Sequence, residues 1–146
     1  MASVSKSVLV EHGAQQMFDL VERVEDYPLF LPWCGGTTIL ERTPTASLVR
    51  VDINYHGVRA HFTTANRNER PELIVIELRD GPFRQLDGTW HFQSLAPTAC
   101  KVVFDLRYEF AGPLLERLIG PVFNHIATTF IDAFVKRADD MHKPRS

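Results

Sequence analysis

Tyr27-Pro28-Leu29-Phe30-Leu31-Pro32-Trp33-Cys34, followed at once by Gly35-Gly36, is the stretch on which the reading of this chain turns. The two prolines bracket a short interval with room for one helical turn. Pro28 suits the first turn of a helix, where its missing N–H is not needed. Pro32 pushes Leu31 towards extended geometry and ends that turn. Aromatic rings at Tyr27, Phe30 and Trp33, with two leucines beside them, are costly to leave in water. They must cover something apolar, either the core itself or the mouth of a cavity in it.

On the N-terminal side, Val4–Val10 reads as a strand that His12-Gly13 breaks. Ala14, Met17, Phe18 and Val21 then recur at helical spacing, with Leu20 and Val24 widening the stripe, which predicts an amphipathic helix over 14–24. On the C-terminal side, Gly35-Gly36 releases the chain into strands. Val49, Val51, Ile53 and Tyr55 share one face, and Arg50, Asp52 and Asn54 the other. Val58, Ala60 and Phe62 oppose Arg59, His61 and Thr63. Further on come Ile74, Ile76 and Leu78, then Leu86, Trp90 and Phe92, then Val102, Phe104, Leu106, Tyr108 and Phe110. A period of two with short turns means an antiparallel meander with one buried face. Gly88, set among bulky neighbours, implies a bend or a close approach of backbone or ligand.

Gly112-Pro113 ends the sheet, and Leu114–Met141 is helical in pattern. Pro121 cannot donate to the carbonyl of Arg117, so Gly120-Pro121 should kink or divide this helix. Phe123, Ile126, Ala127, Phe130, Phe134, Ala138 and Met141 form its apolar stripe. No other element is long enough to cover the sheet. The expectation is an α+β fold: a curved antiparallel sheet of about six or seven strands gripping a long C-terminal helix, with two short helices after the first strand. Large side chains between a curved sheet and a helix leave space where a ligand could lie.

The totals narrow the function. At 146 residues the chain reads as one domain, residues 1–146 with a core over about 3–141. A net charge of −2 argues against a dedicated DNA- or RNA-binding protein, which carries a basic excess. Cys34 and Cys100 form no CxxC pair and read as reduced thiols of a cytosolic protein. The N-terminal residues lack the apolar core of a signal peptide, and no apolar run approaches the ~20 residues of a membrane span. Lys136, Arg137, Lys143 and Arg145, among Asp139 and Asp140, read as a solvated helix end.

Nothing in the sequence has the spacing of a catalytic or metal site. The histidines are scattered, and the inward strand faces carry almost no group that titrates near neutral pH, as acid–base catalysis requires. No enzyme is expected, and no metal or cofactor. The inward polar handles are mainly Tyr55, Tyr108 and the Trp90 N–H. The candidate cavity-lining residues are Tyr27, Phe30, Leu31 and Trp33 from the proline-bracketed segment, Tyr55, Phe62, Ile76, Trp90, Phe104 and Tyr108 from the strands, and Phe123, Phe130 and Phe134 from the last helix. The segment reads either as a plug closing one end of the barrel or as a gate to the cavity.

Tyr27-Pro28-x-Phe30-Leu31-Pro32-Trp33-Cys34 resembles the segment typical of the coenzyme Q-binding and ribosome association toxin branch of the START-like (polyketide cyclase/dehydrase) proteins. Gly81-Pro82-Phe83 with Leu86 and Trp90-x-Phe92, Cys100-x-Val102-x-Phe104, Glu109-Phe110 and Ala133-Phe134-x-x-Arg137-Ala138 match in order, so the resemblance covers about residues 3–141. His12-Gly13-Ala14 departs from the Ser-Pro-type helix start common in relatives. The resemblance implies a helix-grip fold and two roles of different kinds. One is non-enzymatic binding of a ubiquinone-like prenylated lipid in support of respiration, in the cytoplasm with peripheral contact at the inner membrane. The other is binding of the large ribosomal subunit, which blocks subunit association.

Overall fold

The computed structural model describes residues 2–142; Lys143 and Arg145 lie outside the described residues. The chain runs β1 (Ala2–Val10), α1 (Ala14–Glu22), a 3-10 turn (Val24–Asp26), α2 (Tyr27–Phe30), β2 (Cys34–Arg42), β3 (Ala46–Tyr55), β4 (Val58–Glu69), β5 (Leu73–Asp80), β6 (Phe83–Ala96), β7 (Ala99–Phe110) and α3 (Pro113–Met141). The seven strands form one antiparallel sheet in the order β1-β7-β6-β5-β4-β3-β2. Consecutive strands pair by short turns, and only β1 is carried across to pair with β7. This is the helix-grip arrangement that the strand periods and the long last helix predict.

Register puts the expected inward residues on one face of the sheet. Val51 lies opposite Phe62, Ile74 opposite Trp90, and Trp90 opposite Phe104. On β7 the alternation is complete: Val102, Phe104, Leu106, Tyr108 and Phe110 are all buried. Gly88 sits opposite Leu106, and a Cβ added there would lie 2.9 Å from the Asp105 carbonyl oxygen. The close approach expected at Gly88 is therefore with the β7 backbone.

α3 covers this face with Phe123, Ile126, Ala127 and Phe134, and also with Ile119 and Ile131, which the sequence stripe omitted. Met141, expected in that stripe, is 47% exposed, so the buried stripe ends at Ala138. The helix also runs unbroken through Pro121, so Gly120-Pro121 does not divide it. Pro121 and Arg117 both face solvent, where water can satisfy the carbonyl that the missing N–H leaves unpaired. α3 is long and apolar enough by length and composition to cross a membrane. Here its apolar stripe is part of the core under the sheet.

α1 ends at Glu22 and not at 24. Arg23 leaves helical geometry, and the chain tightens into the 3-10 turn that carries Val24 into the core. His12, at the end of β1, is buried, with Nε2 2.7 Å from Asp139 Oδ1, and so joins the start of α1 to the end of α3.

Gly88→Ala should destabilise the protein by about 1–3 kcal/mol, the usual effect of overpacking. Urea denaturation reads this as a lowered midpoint at unchanged slope. An unchanged midpoint would mean that β6 and β7 can separate locally at no cost.

Candidate functional site

Between the sheet and α3 lies a cavity of about 90 Å³. Eight of the thirteen residues expected to line it do so: Tyr27, Trp33, Phe62, Ile76, Trp90, Phe104, Phe123 and Phe130. The seven aromatic residues among them supply its aromatic floor and walls. Trp90 is fully buried, with its ring centroid 4.6 Å from that of Phe104 and 5.7 Å from that of Phe130. Trp33 approaches Phe130 at 6.0 Å from the other side.

The other five lie elsewhere. Leu31 is core, 1% exposed. Phe134 is fully buried beneath the cavity wall, with Tyr27, Phe30, Trp90 and Phe130 around it. Phe30 packs on Phe134 and has the Arg137 guanidinium over its ring, 5.3 Å from the centroid. Tyr55, at the end of β3, stacks on His125 of α3 with the rings nearly parallel. Tyr108 donates its hydroxyl to Asn124 Oδ1, and burial pushes its pKa up. Neither tyrosine hydroxyl is thus a handle inside the cavity.

The proline-bracketed segment forms a fixed part of the wall. Its single helical turn is α2, and Leu31 N–H closes back on the Tyr27 carbonyl. The Tyr27 hydroxyl donates to the buried Val21 carbonyl, and burial raises its pKa well beyond the ordinary tyrosine value. Asn54 N–H donates to the Trp33 carbonyl, tying the segment to β3. Cys34 follows as a buried free thiol whose pKa burial also raises. Cys100 is likewise a buried free thiol, pushed up by burial.

The polar part of the cavity comes from residues the sequence reading passed over. The inward row of β4 continues past Phe62 as Thr64, Asn66 and Asn68, and Ser47 of β3 lies opposite Asn66. Glu22, the last residue of α1, completes this end. Thr64 and Asn68 are buried, while Glu22, Ser47 and Asn66 are partly exposed, so the cavity reaches solvent on this side. The Thr64 hydroxyl donates to Asn66 Oδ1, and Asn68 Nδ2 donates to Glu22 Oε2 at 3.4 Å. Arg70, just beyond β4, pairs with both Glu22 and Asp19 and lies 4.7 Å over the Phe18 ring. The mouth is therefore bordered by a charged latch between α1 and the β4–β5 turn. The signal for this end was present as polar residues in phase with an apolar strand face.

A long last helix gripped by a seven-stranded sheet, with an apolar cavity between them, agrees with what comparison shows. The model of the family described as polyketide cyclase / dehydrase and lipid transport matches residues 10–135. The chain belongs to this family. It is 39% identical over 145 residues to the ribosome association toxin RatA of Escherichia coli strain K12, covering 99% of this chain and 92% of that protein. It is 26% identical to the mitochondrial coenzyme Q-binding protein COQ10 homolog B of Xenopus laevis, covering 92% of this chain and 57% of that protein. Among solved structures, a START superfamily protein of Mycobacterium smegmatis superposes with a TM-score of 0.74 at 26% identity, covering 95% of this chain and 98% of that one. The family's description spans enzymes and lipid carriers; the names of these two sequence relatives denote a toxin and a binding protein.

Tyr27→Phe removes the donor to the buried Val21 carbonyl, and an acceptor left unpaired in the core costs about 1–3 kcal/mol. The thermal midpoint should fall accordingly. An unchanged midpoint would show that the hydroxyl does not brace the segment.

Proposed function

We propose that the protein binds a hydrophobic ligand without transforming it, and that the ligand is the ring end of a ubiquinone-like prenylated lipid. The observation that carries this reading is the aromatic cavity between the sheet and α3, with polar groups confined to its open end. Such a division suits a flat ring inserted first with its oxygens near the mouth. Among the lining residues Glu22 is the only carboxylate, and there is no histidine, lysine or arginine. One carboxylate already paired with a guanidinium has no second group to complete an acid–base relay, which favours binding over catalysis.

Size limits what enters. Ligand pockets usually measure ~300–1,000 Å³, and a closed cavity of about 150 Å³ takes a single benzene. At about 90 Å³ the cavity must widen to admit a quinone ring. Phe62 and Phe130 are the lining aromatics that are not fully buried, and movement of their rings is the available source of volume. The prenyl tail stays outside, in a lipid surface or along the protein. This reading places the protein in the cytoplasm with peripheral contact at the inner membrane.

A second reading rests on the 39% identity to RatA along nearly the whole chain. Here the protein binds the large ribosomal subunit through its outer surface and blocks subunit association. That surface carries paired charges, Arg50 with Asp52, Arg84 with Glu109 and Arg107 with Asp87. The contact would then be with ribosomal protein more than with phosphate backbone.

Titration with a short-chain quinone should quench the fluorescence of Trp33 and Trp90 saturably. Ala127→Leu, which fills the cavity from α3, should weaken binding at least about tenfold while the protein stays folded. No saturable quenching would refute the ligand reading. For the second reading, overproduction should raise the free subunit peaks on sucrose gradients, and an unchanged profile would reject it.

A further inference from the structure

We infer that the mouth of the cavity selects a hydroxyl-bearing ring, so that the reduced quinol is held in preference to the quinone; this rests on the ligand reading above. A quinone oxygen can only accept a hydrogen bond, whereas a quinol oxygen both donates and accepts.

Glu22 lines the cavity, and its carboxylate can only accept. Its Oε2 takes both protein donors, Arg70 and Asn68, and Oε1 has no protein partner among the described residues. The neighbouring Asn66 uses its carbonyl oxygen to receive the Thr64 hydroxyl, which leaves its amide N–H groups as donors. Ser47, opposite Asn66, adds a hydroxyl. A ring oxygen at this end therefore meets an acceptor from α1 and donors from β3 and β4.

Only a hydroxyl answers both. It donates to Glu22 Oε1 and accepts from Asn66 or Ser47. A quinone carbonyl in the same place would set its lone pairs against a carboxylate and leave the acceptor unmet, which is the more costly failure at a partly buried charged group. The Arg70 pairing holds the Glu22 side chain in place, so the selectivity is built into the latch that borders the mouth.

The test is calorimetric titration of the full-length protein, without oxygen, with one short-chain quinone and with the same molecule reduced to its quinol. The quinol should bind at least about tenfold more tightly, the discrimination expected of one hydrogen bond to a charged acceptor. For a two-electron couple, each tenfold preference raises the midpoint potential of the bound pair by about 30 mV, an independent readout on the wild-type protein. Glu22→Gln should reduce the preference, and Asp19→Asn, which breaks the other Arg70 pair away from the cavity, should leave it intact. Equal affinities for the two forms, or equal losses in the two variants, would overturn the inference while leaving the ligand reading in place. Failure of both forms to bind would instead remove the ligand reading itself.

Discussion

The structure depends on the contact of Trp90 with α3. Trp90 is wholly buried at the centre of the sheet, beside Phe92 and Phe104, and it meets Phe130 and Phe134, one helical turn apart. Tyr27 of the proline-bracketed segment reaches the same two phenylalanines, at 6.4 and 5.3 Å. Sheet, last helix and segment therefore converge on one aromatic cluster. Most of these pairs meet edge to face or tilted, as ring quadrupoles prefer, and each adds about 0.5–1.5 kcal/mol beyond its buried area. Large planar groups in such orientations fill a curved space incompletely, so the cavity follows from the same packing that holds α3 in place.

The segment's role follows from that convergence. With the Tyr27 hydroxyl on Val21, the Trp33 carbonyl on Asn54, and the Tyr27, Phe30 and Trp33 rings against Phe130 and Phe134, it is tied to α1, β3 and α3 together. A piece fastened at so many points is wall, not door. The groups that border the opening are instead Glu22, Asn66, Asn68 and Ser47, with Arg70 pairing across to α1. Both partners of that latch are partly exposed, so its ion pairs add little to stability.

The fold was legible because the strand faces alternate cleanly and because one helix alone could cover them. The aromatic wall was legible for the same reason. What strand phase cannot say is how far along a strand the cavity extends. Tyr55 has the inward phase but stands at the end of β3, against His125, and Tyr108 has the inward phase but lies nearer Asn124. The polar end was hidden differently. Thr64, Asn66 and Asn68 continue the phase of Phe62, yet a reading tuned to apolar alternation stops where polarity begins. Glu22 could not be placed from sequence, since it reaches the cavity only once α1 has packed across the mouth.

These two ends explain how a small cavity could serve a large lipid. Burying a methylene of a prenyl tail is worth about 0.8 kcal/mol, but a bilayer offers the tail much the same, so tail burial gives no net preference for the protein. Selectivity must come from the ring and its oxygens, where membrane interior and protein differ. A site with an aromatic floor and a hydrogen-bonding mouth puts its interactions where that difference lies. On this view the cavity's modest size is no defect: a protein that reads the ring has no need to enclose the tail.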